Sequence, residues 1–225
     1  MAERPVFVPT PDASALVSTR YVQFQWFPGL AASQKQRSAD SLHAAALNLE
    51  GIGDVLEVSS KSREDLGVAL SAFNLTLTPR DHRGRSLTVE CAFQGSKVFE
   101  LGGPYTDIFC MTSRDAKRDT RLRSSGRLVG FRFPGTDWAL EPKTAFYDWI
   151  YINALKEKPE VAGKLLKYSA FTDIEFNPQR SINCQAYSVA LYVSLYTRGI
   201  LDEATSSRSA FLQVVSSRTT SKKVR

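Results

Sequence analysis

Cysteine and histidine are scarce in this chain, with three of the first and two of the second among 225 residues. Cys91, Cys110 and Cys184 are odd in number and far apart, with no Cys-x-x-Cys pair, which suits reduced thiols better than a disulfide framework or a zinc site. His43 and His82 stand in no ligand-spaced pattern, which excludes the His-Glu-x-x-His peptidases and the zinc base deaminases. There is no Gly-x-x-x-x-Gly-Lys-Ser/Thr loop, and Gly51-Ile52-Gly53 lacks the third glycine of a dinucleotide fingerprint. Neither a metal nor a cofactor is expected. Long apolar runs are missing as well. The longest uncharged stretch, Ser181 to Thr197, is interrupted by Ser, Asn, Gln and Tyr and falls short of the ~18 apolar residues of a membrane span. The N-terminus carries Glu3, Arg4, Pro5, Pro9 and Pro11 with no apolar core, so no secretory signal is expected and the protein is placed in the cytoplasm, away from membranes.

What is present is the material of a folded domain. Apolar residues make up 43%, aromatics 11% and charged residues 23%, a composition that can bury a core, and the length suits one domain. Net charge is +6, and the sequence pI near 9.3 favours a polyanionic partner. Helical segments are expected over Leu30–Leu49, Ser62–Leu70, Glu90–Phe99, Lys143–Lys156, Pro159–Tyr168 and Ser181–Arg198. Short strands are expected at Tyr21–Phe27, Asp54–Ser59, Ser71–Thr78, Ser86–Val89, Val129–Phe133 and Thr172–Phe176, with a polar turn at 80–85. The pattern describes an α+β fold, a single mostly helical domain around a small sheet. Residues 1–20 are proline-rich and aperiodic and are expected to be a tail, 21–204 the domain, and 205–225 a basic C-terminal tail.

Two segments carry candidate chemistry. Arg114, Lys117, Arg118, Arg121, Arg123 and Arg127 face only Asp115 and Asp119 between residues 113 and 127, a density of cations suited to gripping phosphates. Taken as a helix, residues 90–99 place Glu90, Phe93, Gln94 and Lys97 within one arc, so that a carboxylate, an amide and an amine face the same way. Spacing alone equally describes an amphipathic helix whose charges are solvated.

Val89-Glu90-Cys91-Ala92-Phe93-Gln94-Gly95-Ser96-Lys97 resembles the signature of the NADAR family, an acidic residue, a Phe-Gln pair and a lysine in the pattern Glu-His-Tyr-Phe-Gln-Ala-x-Lys. Further blocks follow in that family's order. Ser71-Ala72-Phe73-Asn74 resembles its Ser-Asn-Phe element, and Trp138 takes the place of its mid-chain tryptophan. Leu165-Leu166 with Thr172-Asp173-Ile174-Glu175 resembles its leucine-rich helix and Leu-Val-Glu strand, and Asn183-Cys184-Gln185-Ala186 its Gly-x-Asn-x-Leu-Gly segment. The likeness covers about 54–199. Between Glu175 and Asn183 the chain is shorter and lacks the family's Asp-x-Tyr-Trp-Gly loop. The extension at 21–53, with Phe24-Gln25-Trp26-Phe27-Pro28-Gly29, looks like the NADAR branch that accompanies DarT-type DNA ADP-ribosyltransferase toxins.

That resemblance implies a NADAR-type fold and an ADP-ribosylguanine glycohydrolase. It would remove ADP-ribose from guanine bases in DNA as antitoxin to an ADP-ribosyltransferase toxin. The implied partners are ADP-ribosylated single-stranded DNA as substrate, ADP-ribose as product, and the cognate toxin. The reaction breaks an N-glycosidic bond, so it needs a carboxylate and a proton donor or nucleophile, roles that fall to Glu90 and Lys97. Gln94, Phe73, Asn74, Tyr105, Asp107, Trp138, Glu175 and Asn183 are candidates for substrate contact, and Arg118, Arg121 and Arg123 for nucleic acid. Trp138 also fits a core position, and Asn183 a helix cap. Two other functions suit the same residues: a non-catalytic module that binds a nucleotide or single-stranded DNA, and an N-glycosidase acting on small phosphorylated metabolites.

Overall fold

The computed structural model describes residues 1–11, 15–79 and 84–217. Arg80 to Arg83, which include His82 and most of the expected polar turn, lie outside the described residues, as do 218–225 of the basic C-terminal segment. The first elements are β1 (Ala2–Pro9), β2 (Val17–Phe24), α1 (Ala32–Ala46), β3 (Val55–Glu57), α2 (Asp65–Ala69), β4 (Thr76–Leu77), β5 (Leu87–Thr88) and α3 (Val89–Gly95). There follow β6 (Lys97–Phe99), α4 (Ser113–Arg118), α5 (Arg121–Ser124), β7 (Leu128–Phe133), β8 (Thr136–Trp138) and α6 (Ala145–Lys156). The chain continues with α7 (Pro159–Gly163), β9 (Ala170–Thr172), α8 (Gln185–Thr197), α9 (Leu201–Thr205) and α10 (Arg208–Ser217). Helices around small sheets make this the α+β arrangement the sequence implies. No helix among the described residues is long and apolar enough to cross a membrane. The chain divides into two compact units.

The first unit combines Met1–Ser71 with the chain from Lys158 onward. Its sheet has the order β2-β1-β9-β3: β1 and β2 are antiparallel from Ala2↔Phe24 to Pro9↔Val17, and β3 runs parallel to β9. The expected N-terminal tail is therefore a strand inside the sheet. Its prolines disguise it in the sequence, but β1 meets β9 only at Phe7↔Phe171, so Pro5, which has no N–H to give, is asked for little on that side. Val22 and Phe24 point inward from β2 while Tyr21 and Gln23 face water, and Val6, Leu42, Ala170 and Ile174 close the core around them. Helix α1 presents Ser38, Ala39, Leu42 and Ala46 to that core, the spacing of one helical face. Helix α8 buries residues all round, including Val189, Leu191 and Leu195. The expected C-terminal tail instead carries helix α10, where Phe211 is fully buried.

Two carboxyls lie inside this unit. Glu57 accepts from Thr172 Oγ1 (2.8 Å) and from the Ile174 amide (2.9 Å), tying β3 to β9 and the chain beyond it. Asp173 accepts from the amides of Glu175 and Phe176 at 3.0 and 3.1 Å. Burial holds both above the ordinary carboxyl range, and each carboxyl opposes the charge of the other or of Glu175; Glu57 is pushed up to about 7. His43 Nε2 meets Thr172 Oγ1 at 2.8 Å, and burial lowers its pKa to about 4, so the ring is neutral at pH 7. A carboxyl whose folded pKa is raised stabilises the fold fully below its unfolded value of about 4.5 and loses that contribution as pH climbs through about 7. Glu57→Gln should therefore gain melting temperature relative to the parent as pH rises from 5 to 8. A difference in melting temperature that does not change across that range would show that Glu57 does not titrate there.

The second unit is Ala72–Glu157. Strands β4 and β5 form a short antiparallel pair, and a second sheet has the order β6-β7-β8. Of the strand expected over Ser71–Thr78, Thr76 and Leu77 form β4. Thr88 caps α3 by accepting from the Cys91 amide at 3.2 Å. The helix expected over 90–99 ends at Gly95, and Lys97–Phe99 is instead a strand pairing with β7 from Lys97↔Phe131 to Phe99↔Leu128. Gly95 and Ser96 are weak helix formers, and Val98 and Phe99 gain more from the sheet. The Arg132 amide seals the switch by donating to the Ser96 carbonyl at 2.8 Å. Beside it is a cluster of rings, with Phe146 lying 4.6 Å from Phe131, 5.6 Å from Trp138 and 6.3 Å from Phe93 between centroids. Phe146→Ala should lower stability by about 3–5 kcal/mol in a denaturant titration; a loss under about 1 kcal/mol would mean that the cluster refills the space.

Candidate active site

Helix α3 and strand β6 bring together three of the residues singled out in the sequence. Glu90 is 6% exposed and Gln94 8%, and one helical turn separates them, so Gln94 Nε2 donates to Glu90 Oε1 at 2.9 Å. The other end of that amide, Gln94 Oε1, is buried with no hydrogen-bond partner. Leaving such an atom unsatisfied costs about 1–3 kcal/mol. The Glu90 amide donates to the Ala72 carbonyl at 2.9 Å, fixing the start of α3 against the segment that carries Phe73.

Lys97 reaches the same region from β6. Its ammonium lies 4.7 Å from the centroid of Phe93, the residue is half-buried, and its pKa falls from 10.5 to about 8. Burial is the main cause, and Lys117 adds to it by repulsion, while Glu90 pulls the other way. The backbone of Lys97 is packed as tightly. Gly103 has φ +84°, and a Cβ there would sit 2.3 Å from the Lys97 carbonyl oxygen, so only glycine lets the 102–104 loop lie against β6.

The other expected site residues are distributed differently. Lys117 Nζ lies 5.1 Å from the Phe73 ring, and the Phe73 carbonyl accepts from Ser113 Oγ at 2.9 Å, so this residue joins the neighbourhood of α3 and α4. Asn74 is exposed. Tyr105 shares a hydrogen bond with Ser125, and its ring lies under the Arg121 guanidinium at 4.4 Å. Asp107 is bound to the same Arg121 at 2.6 Å. These two residues thus belong to an arginine-centred knot. Trp138 is 5% exposed, 5.6 Å from Phe146 and 5.5 Å from Trp149. Its rings face other rings, the core position that its sequence also suited. Glu175 and Asn183 belong to the first unit. Glu175 is exposed and 3.5 Å from Lys35, and Asn183 precedes Cys184, the N-cap of α8, so it does not itself cap that helix.

Among the basic residues, Arg121 also grips Asp119 at 2.7 Å, so its fork is already occupied by two carboxylates. Arg118 and Arg123 are exposed and have no acidic partner among the described residues. Sequence reading missed the part played by Lys117 and Gly103. The cation density around Lys117 was a signal for the first, and Gly102-Gly103-Pro104 was visible only as a turn.

The second unit of this α+β chain thus holds a buried carboxylate, a half-satisfied amide and a half-buried amine of lowered pKa, groups chemically able to transfer a proton and to act as a nucleophile. The family described as DarT1-associated NADAR antitoxin matches residues 2–225, nearly the whole chain, and the protein belongs to it. No curated protein matches the chain.

The lowered basicity of Lys97 is open to direct measurement. Competitive labelling with an acylating reagent, read by peptide mapping, should give Lys97 an apparent pKa near 8, while exposed lysines titrate about two units higher. An apparent pKa of 10 or above would place the amine in water.

Proposed function

We propose that this antitoxin is a hydrolase that removes ADP-ribose from guanine bases in DNA. The observation that carries the reading is a half-buried Lys97 of lowered basicity within electrostatic reach of the buried Glu90, in a chain whose family pairs it with a DarT1 toxin. A toxin that attaches ADP-ribose to DNA is countered most directly by cleaving the new N-glycosidic bond. With a pKa near 8, a useful fraction of Lys97 is the neutral amine at physiological pH. That amine attacks the anomeric carbon, and guanine's amino nitrogen leaves with the bonding pair. One N–H proton of the lysine reaches guanine by way of Glu90, and the other reaches the ring oxygen as the ribose opens to an imine. Water then adds to the imine carbon, the lysine leaves, and ADP-ribose and unmodified guanine are the products. Phosphate contacts to the DNA strand fall to Arg118 and Arg123, whereas Arg121 holds the Tyr105–Asp107 loop.

Borohydride added during turnover should trap a covalent ADP-ribose adduct on Lys97, seen by intact mass and peptide mapping. An active enzyme without any adduct, together with substantial activity in Lys97→Arg, would return the chemistry to Glu90 and water. Glu90→Gln should fold but lose about a hundredfold or more in turnover. Release of ADP-ribose only in proportion to added protein would mark the chain as a binder instead.

Replacing both Arg118 and Arg123 with Ala should weaken single-stranded DNA binding and reduce its salt slope by about one unit per lost phosphate contact. Hydrolysis of a modified mononucleoside should stay near the parent rate. Equal loss on both substrates would make the segment structural.

A further inference from the structure

Gln94 Oε1 is the one side-chain oxygen among the described residues that is buried without a hydrogen-bond partner. The amide cannot simply turn over to relieve it, because its Nε2 is committed to Glu90 Oε1 at 2.9 Å and a turn would set oxygen against carboxylate. What remains open is therefore an acceptor, and it calls for a donor. Phosphate, ether and carbonyl oxygens of a substrate cannot supply one; a hydroxyl or an N–H can.

Resting on the hydrolase reading above, we propose that Gln94 Oε1 accepts from the ribose hydroxyl on the carbon next to the anomeric centre, and that this contact makes the enzyme select ribosyl over 2-deoxyribosyl bonds. Gln94 is bonded to the carboxylate that serves the anomeric carbon, so only donors close to that carbon are in reach. The substrate offers two: the neighbouring hydroxyl and the amino N–H of guanine. The amino group takes up a proton and departs halfway through the reaction. The hydroxyl stays on the sugar through attack, imine and hydrolysis, and keeps the buried carbonyl satisfied throughout.

The consequence bears on DNA. A modified guanine carries two N-glycosidic bonds, one to the ribose of ADP-ribose and one to its own 2-deoxyribose. A buried acceptor that needs the 2-hydroxyl discriminates against the sugar that lacks it, since productive binding of a deoxyribose would leave the acceptor unpaired. Sites built in this way reject the analogue missing the hydroxyl by factors of about 10⁴. The same glutamine thus directs cleavage to the added sugar and spares the strand from loss of the base.

The experiment compares two oligodeoxynucleotides, one with ADP-ribose on a single guanine and one with the linked ribose replaced by 2-deoxyribose. The parent enzyme should prefer the first by about a thousandfold or more in kcat/KM, and Gln94→Met, which keeps the length but removes the acceptor, should bring the two within about tenfold. Equal rates in the parent enzyme overturn the proposal without any variant and transfer the contact to the guanine N–H. A ratio unchanged in a folded Gln94→Met or Gln94→Leu overturns it for Gln94. If the parent enzyme cleaves neither oligonucleotide, the hydrolase reading fails and the proposal falls with it. If it cleaves the ribosyl bond without the expected ratio, only the proposal fails.

Discussion

An amine partly withdrawn from water loses some of its preference for the charged form, and in the second unit this is the condition of Lys97. Strand β6 pairs with β7, which sets the direction of the side chain. Phe93 supplies the ring, Gly103 lets a loop close on the lysine backbone, and Lys117 adds repulsion from outside. Against burial and Lys117 stand Glu90, whose charge favours the ammonium, and the face of the Phe93 ring, which attracts a cation. Burial is the larger effect, and the balance leaves a pKa near 8 where either protonation state is accessible at neutral pH.

The same opposition of burial and pairing runs through the first unit with the sign reversed. Glu57 and Asp173 are carboxyls whose charge is disfavoured by the interior, and hydrogen bonds from Thr172 and from backbone amides only partly offset it. The bonds of Glu57 join β3 to the chain following β9, so that junction rests on a group that titrates. The aromatic residues do a quieter job. Phe93, Phe131, Phe146 and Trp138 pack ring against ring, and Phe93 alone among them also meets the lysine.

Arginine illustrates how structure divides residues that look equivalent in a charge count. Arg118, Arg121 and Arg123 are spaced to suggest one phosphate grip, yet Arg121 is held by Asp107 and Asp119 and covers Tyr105. One of the two carboxylates that hold it, Asp107, lies 14 residues away, which no local charge pattern reveals. The arginine therefore shapes a loop, while its neighbours remain open to solvent.

The sequence by itself determined the family, through Glu90, Phe93-Gln94 and Lys97 in their order, and the α+β class with the placement of α1, α6 and α8, because apolar periodicity and residue order are local properties. Tertiary structure decided what those properties leave open. Helical spacing put Lys97 on the face of Glu90, but the chain leaves the helix at Gly95 because pairing with β7, distant in sequence, outweighs one more turn of helix. Residues 1–20 read as a tail because Pro5 and Pro9 punctuate a stretch with no inside–outside alternation, which becomes a strand only by pairing with β2. Trp138 reads as either a stacking face or a core residue until Phe146 and Trp149 are seen against it. The unpaired oxygen of Gln94 is invisible in any pattern, since whether a polar atom lacks a partner depends on everything that folds around it.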